Sequence, residues 1–281
     1  MFKNHLIELL APRQDAPDID AALEKFADRY GRGLRTGYVL SVPDNPMGTV
    51  RFRASEVLRE LDLEIVPERL ILHVNTFHTR QDLDDILATA HDLGVKYLLA
   101  VSGDGGERLP RLEPASLGLS SRTVTAVELL RYIHREHPRR FVCGVAFNPY
   151  EPQDHELARL RRKVDAGARF IITQPVIGYE PRLAPSESPG LPVVVGAWMS
   201  KRVELLSQCV GVPLPEVDDY DPVENLKALQ QFYPGHALYL SLLDFVHRLP
   251  DLASWLHPPA YAPRFCPRRA DTSAIPAAEQ R

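Results

Sequence analysis

Residues 70–101 read LILHVNTFHTRQDLDDILATAHDLGVKYLLAV, and the order of apolar runs within them decides the fold. Leu70–Val74 is a short apolar run, Arg80–Leu93 carries apolar residues at helical period, and Tyr97–Val101 is a second apolar run. A strand, a helix and a strand in that order form a crossover that brings the chain back parallel to its first strand. The same rhythm extends outward from this unit. Before it, Leu6–Leu10 and Tyr38–Val42 read as strands, with helices near Ile19–Tyr30 and Arg53–Leu61. After it, the strands are Phe141–Ala146, Phe170–Thr173, Pro192–Val195 and Ala237–Leu242, with helices near Thr123–His134, His155–Ala166 and Val223–Phe232. Runs such as Val193-Val194-Val195 suit parallel strands covered on both faces. The alternation admits an open doubly wound sheet or a closed barrel, and a count of about eight strands favours the (β/α)8 TIM barrel.

Two stretches break the rhythm. Gly178–Gly190, rich in Pro, Ser and Glu, predicts a loop where a sixth helix would stand. A second Pro- and Asp-rich connection lies between Val210 and Pro222. One barrel domain is expected over residues 1–257. Residues 258–281 form a Pro-rich tail with little periodicity, expected to be partly disordered, above all over Asp271–Arg281.

Composition narrows the function classes. Hydrophobic residues make up 44% of the 281, enough for a sizeable core. With 33 basic and 37 acidic residues the net charge is −4, so nothing points to nucleic acid or to an anionic membrane surface. No apolar run approaches a bilayer span, and the charges and Pro12 near the start do not suit a signal peptide. A cytoplasmic protein is expected. Cys143, Cys209 and Cys266 are an odd, scattered set, neither a disulfide framework nor a metal site. His73 and His78 do not have the spacing of a helical zinc pair.

Polar residues gather where strands end: Glu8, Asp44, Asn45, Asn75, Asp104, Asn148, Thr173 and Gln174. In a barrel these ends converge on one face and build the active site, although strand ends also meet water and are polar for that reason alone. Glu8 stands inside the apolar run Leu6-Ile7-Glu8-Leu9-Leu10. Burial would raise its pKa and let it hold a proton near neutral pH, as a general acid must; a structural pair with an arginine is the competing reading. Ser102-Gly103-Asp104-Gly105-Gly106 allows close backbone approach but is no dinucleotide fingerprint, and its Asp could accept from a heterocycle N–H or simply belong to a turn. Arg159, Arg161, Arg162 and Lys163 fan over more than one face of a helix. One or two of them could hold a pyrophosphate, while Arg159 and Arg161 read better as a solvated basic face. Gln174 offers donors and an acceptor that suit a pterin edge, and Pro175 is expected to end its strand.

Several of these segments, in this order, resemble the methylenetetrahydrofolate reductase family. Lys163-Val164-Asp165-Ala166-Gly167-Ala168-Arg169-Phe170-Ile171-Ile172-Thr173-Gln174 closely resembles its signature. Glu8-Leu9-Leu10-Ala11-Pro12-Arg13 is similar to its opening Glu-Phe-Phe-Pro-Pro-Arg. Leu72-His73-Val74 and Leu98-Leu99-Ala100-Val101-Ser102-Gly103-Asp104 are similar to its third- and fourth-strand ends. The resemblance spans roughly Leu6 to Ser200. It implies a flavin barrel, with FAD as cofactor, that passes a hydride from NADH or NADPH to a folate-bound one-carbon unit. It implies Glu8 as general acid, Asp104 as the residue that contacts the pterin and tunes the flavin, and Gln174 as a folate ligand. His73, Arg162 and Lys163 match flavin contacts.

The chain departs from the family where a flavin would rest. Ser41-Val42-Pro43-Asp44-Asn45-Pro46 replaces Ser-Val-Thr-Tyr-Gly-Ala, and Pro43 has neither hydroxyl nor N–H to offer. Phe147-Asn148-Pro149-Tyr150-Glu151-Pro152 lacks the family's histidine. FMN, or no flavin at all, therefore stands beside FAD. A flavin-less folate-binding or regulatory subunit stands as the alternative function. A pterin-dependent methyl transferase is a third, which no cysteine cluster supports. A homo-oligomer or an electron-donating partner protein remains open.

Overall fold

In the computed structural model, which describes residues 4–214, 219–243 and 248–256, eight parallel strands close into a barrel in chain order. The first half runs β1 (Leu6–Glu8), α1 (Ile19–Arg35), β2 (Val39–Val42), α2 (Ala54–Glu60), β3 (Leu70–Val74), α3 (Arg80–Asp92), β4 (Tyr97–Ala100) and α4 (Ala126–Glu136). The second runs β5 (Val142–Phe147), α5 (Gln153–Asp165), β6 (Phe170–Val176), β7 (Val193–Trp198), α6 (Val203–Val210), α7 (Pro222–Phe232), β8 (Ala237–Ser241) and α8 (Leu252–Trp255). The chain is a (β/α)8 barrel, as the alternation predicts. The expected tail over 258–281, with Cys266, lies outside the described residues.

Local chemistry sets the helix starts. Thr79 and Thr125 each cap a helix reciprocally with an acidic residue three positions on, Asp82 and Glu128. Asp18 and Asp221 accept from the first-turn amides of α1 and α7. Between β6 and β7 the expected loop contains a 3₁₀ turn, Pro181–Glu187, in place of an α-helix. Pro185 inside it removes an amide and keeps it from becoming one. The sequence reading did not anticipate α6. Its eight residues give barely two turns of period, beside a connection whose prolines read as loop.

Two apolar layers follow from the period of two along each strand. Outward-facing residues such as Ile7, Leu40, Leu72 and Leu98 pack against the helices. Inward-facing Leu6, Val39, Ile71, Leu99, Ile172 and Tyr239 fill the barrel. Gly144 makes room inside, since a Cβ there would lie 2.2 Å from the Phe170 ring. The closing seam pairs β1 with β8, and His5 Nδ1 accepts from the Leu238 amide at 2.9 Å across it.

β6 corrects one expectation. Pro175 does not end the strand, which runs to Val176 with a register shift between Ile172 and Pro175. At the shift, the Thr173 hydroxyl accepts from the Gly196 amide at 2.9 Å. A bulge is one of the few places inside a sheet where a proline's missing N–H is tolerated.

Candidate functional site

On β1, β2 and β3, the residues two positions past the inward apolar layer are polar. Past Leu6, Val39 and Ile71 stand Glu8, Ser41 and His73. Glu8 and His73 lie at the floor of a cavity of about 770 Å³ at the C-terminal ends of the strands, and Ser41 is buried beneath its lining. Of the residues expected in the site, Glu8, His73, Asp104, Lys163 and Gln174 all line this cavity.

Glu8 is held on both oxygens. Its Oε1 accepts from the Tyr239 hydroxyl at 3.0 Å and its Oε2 from the Leu242 amide at 2.8 Å. It keeps part of its surface open to the cavity and is otherwise enclosed by protein. Burial pushes its pKa up, against the lowering pull of those two hydrogen bonds and of the Arg51 charge. Arg51 also donates to the Ala11 carbonyl at 2.5 Å. His73 Nε2 lies 2.8 Å from Ser41 Oγ, and burial lowers its pKa to about 3, so the ring is neutral at physiological pH.

Asp104 is held through the chain itself. Its Oδ2 accepts from the Met47 amide at 2.7 Å. The turn after β2 thereby lies flat against the loop after β4. A Cβ on Gly48 would fall 2.3 Å from the Gly105 carbonyl, and one on Gly106 2.7 Å from the Gly48 carbonyl. Asp44 ties the turn after β2 to the loop after β3 as well, its Oδ2 within 2.6 Å of His78 Nε2 and 3.1 Å of the Asn75 amide. Gln174 stands in the β6 register shift, a place where a bulge can re-aim a side chain, and faces the cavity.

On α5 the expectation needs correcting. Arg162 is exposed and does not line the cavity. Arg159, read from sequence as a solvated residue, does line it. Positions 156, 159 and 163 share one helical face, and that face meets the barrel. Lys163 donates to the Ala146 carbonyl at 2.7 Å and to Glu156 Oε1 at 3.2 Å. Burial lowers the Lys163 pKa, with Glu156 pulling it back up. Glu156 Oε2 lies 3.4 Å from the Arg159 guanidinium but is buried without a hydrogen-bond donor.

Sequence reasoning missed Ser41, Tyr239, Arg51 and Glu156. Glu156 carried a legible signal, its spacing from Arg159 and Lys163. Ser41 and Tyr239 carried none, because their meeting depends on strand registers that no single strand encodes.

Comparison with known proteins gives a consistent picture. A family model described as Methylenetetrahydrofolate reductase matches residues 7–181. Methylenetetrahydrofolate reductase 2 of Schizosaccharomyces pombe is 36% identical over 110 residues, which are 35% of this chain and 16% of that protein. A probable methylenetetrahydrofolate reductase (NADPH) of Caenorhabditis elegans is 28% identical over 238 residues, 78% of this chain and 34% of that protein. The chain thus spans about a third or less of the length of these relatives. Among solved structures, an uncharacterized protein from Clostridium thermocellum that binds two copies of 5-methyl-5,6,7,8-tetrahydrofolic acid superposes with a TM-score of 0.57 at 10% identity. The match covers 90% of this chain and 94% of that one, a likeness of fold.

Proposed function

The chain belongs to the methylenetetrahydrofolate reductase family, and from that premise we propose that it reduces 5,10-methylenetetrahydrofolate to 5-methyltetrahydrofolate at the mouth of the barrel. The observation that carries this reading is the placement of Glu8: a carboxyl with a raised pKa, held on both oxygens, at the floor of a cavity also lined by Asp104 and Gln174. Opening the folate's five-membered ring to a reactive iminium requires a proton on the departing nitrogen, and a carboxyl whose pKa burial raises is suited to supply it. Gln174 and Asp104 offer the amide and carboxylate that a pterin edge calls for. The iminium carbon then accepts a hydride and becomes the methyl group.

The hydride carrier in this reading is a flavin, reduced by NADH or NADPH. The upper wall fits such a group in one respect. Glu156 Oε2 is a buried acceptor without a donor, beside the Arg159 guanidinium. A sugar-alcohol hydroxyl would satisfy the first, and a phosphate would pair with the second. Glu156, Arg159, Lys163 and His73 are the residues that would hold it. When bound, a flavin would accept the hydride from the nicotinamide and deliver it to the folate carbon.

A second reading, a flavin-less folate-binding subunit, draws support from the other wall. Pro43 lines the cavity without an N–H or hydroxyl, and Asp104 is already engaged by Met47. An absorbance spectrum of the purified protein, followed by addition of NADH or NADPH and methylenetetrahydrofolate, separates the readings. Yellow protein that bleaches with the nicotinamide and recolours with the folate is the expected outcome. Colourless protein that binds folate without consuming nicotinamide would establish the second reading. Colourless protein with folate-dependent nicotinamide oxidation would keep the reductase and remove the flavin.

A further inference from the structure

Four neighbouring strands, β8, β1, β2 and β3, each carry one inward-facing polar side chain at the base of the cavity, Ser41 being the one buried beneath its lining. Tyr239 on β8 donates to Glu8 Oε1 on β1 at 3.0 Å. Ser41 on β2 pairs in register with Glu8, is the next hydroxyl beyond Tyr239 and acts on the ionisation of its phenol. Ser41 Oγ also meets His73 Nε2 on β3 at 2.8 Å. The Tyr239 and His73 rings lean together with centroids 6.3 Å apart, which fixes both ends of the bridge. Two of the linking groups are hydroxyls, and a hydroxyl donates one hydrogen bond while accepting others. A row built this way has two consistent directions. With Glu8 ionised, His73 donates to Ser41, Ser41 to Tyr239 and Tyr239 to the carboxylate. With Glu8 protonated, the acid O–H donates to Tyr239, Tyr239 to Ser41 and Ser41 to His73 Nε2.

We propose that Tyr239, backed by Ser41 and His73, is the positioning unit of Glu8, turning its hydrogen bonds around when Glu8 gives up its proton and so holding the carboxyl in one place in both states. The inference rests on Glu8 acting as the acid of the proposed reaction, but the row itself is independent of any ligand. The neutral ring of His73 follows by changing tautomer: Nε2 donates while it carries the ring proton and accepts once that proton has left and one has returned on Nδ1, an exchange with water in the cavity that His73 lines. The other groups facing Glu8 cannot substitute. The Leu242 amide only donates, Arg51 acts through its positive charge and only donates, and Cys209 on α6 faces Glu8 as a neutral thiol whose pKa burial raises to about 11.

The test titrates Glu8 directly in ligand-free protein by difference infrared spectroscopy, with its carboxyl band assigned by its loss in Glu8→Gln. Tyr239→Phe keeps the ring and removes a hydrogen bond that is stronger to the charged carboxylate than to the neutral acid, so the midpoint should move up by about one to two pH units. Ser41→Ala leaves Tyr239 in contact but without its own donor, so the midpoint should move in the same direction by less. Circular dichroism of each variant checks that the barrel is folded. In folate reduction, the alkaline limb of the pH profile should move up with the infrared midpoint. An unchanged midpoint in folded Tyr239→Phe protein would overturn the proposal. Shifted midpoints in a protein that does not turn over folate would uphold the row and reject the reductase reading; turnover with unshifted midpoints would do the reverse.

Discussion

In the proposed reaction Glu8 serves chemistry at the expense of stability. In the unfolded chain a glutamic acid loses its proton near pH 4.3; in the barrel burial raises that value. Above pH 4.3 the native state therefore binds more protons than the unfolded one, so stability falls as pH rises until the native pKa is passed. Glu8→Gln keeps the shape and removes the proton. Folate reduction should fall by about 10²–10⁴ in rate, while reduction of a bound flavin by nicotinamide survives. Calorimetry across pH should show the variant gaining on the parent protein as pH rises above about 4. A parent protein whose melting temperature does not decline relative to the variant would mean that the carboxyl carries no burial penalty. A loss of both half-reactions in equal measure would make Glu8 structural.

At the scale of elements, α5 and its partner strand hold a buried ion pair that the sequence half revealed. Lys163 and Glu156 are both buried. Lys163→Met removes one charge and leaves Glu156 in the interior with an exchange of partners it cannot fully make. The expected cost is about 3–5 kcal/mol in chemical unfolding. The double variant with Glu156→Gln should recover much of it; a double variant no more stable than the single one would count against the pairing. The basic run over 159–163 was visible in sequence, yet which member met the barrel was not, because helical phase is fixed by packing. Arg162 was expected inside and is outside; Arg159 is the reverse. Strand and helix order, by contrast, was legible throughout the strands, since each strand is a continuous apolar run and each major helix has a long apolar stripe. Gln174 was legible as a polar strand end, while the bulge that carries it was hidden behind a proline that reads as a stop. The row through Tyr239 and Ser41 was not legible at all, because it exists only between strands.

The whole molecule is organised around its seam. β1 is three residues long and is paired on one side by β2 and on the other by β8. Glu8 depends on this closure, since both of its donors, Tyr239 and the Leu242 amide, come from β8 or the turn after it. Native-state hydrogen exchange should therefore find the Leu238 and Leu242 amides protected to the same free energy as those of β1, in one cooperative unit. Exchange at Leu242 well before Leu238 would mean that the acid's support opens locally. The separation also has a meaning in time. Leu242 follows Glu8 by 234 residues. At cellular synthesis speeds Glu8 waits roughly 10–50 seconds for it. During that interval its carboxyl is an ordinary solvated one, without the burial that raises its pKa in the closed barrel. The growing chain can assemble seven strands before Glu8 has either of its donors, so in the proposed reaction a barrel stopped short of its last strand would lack its acid.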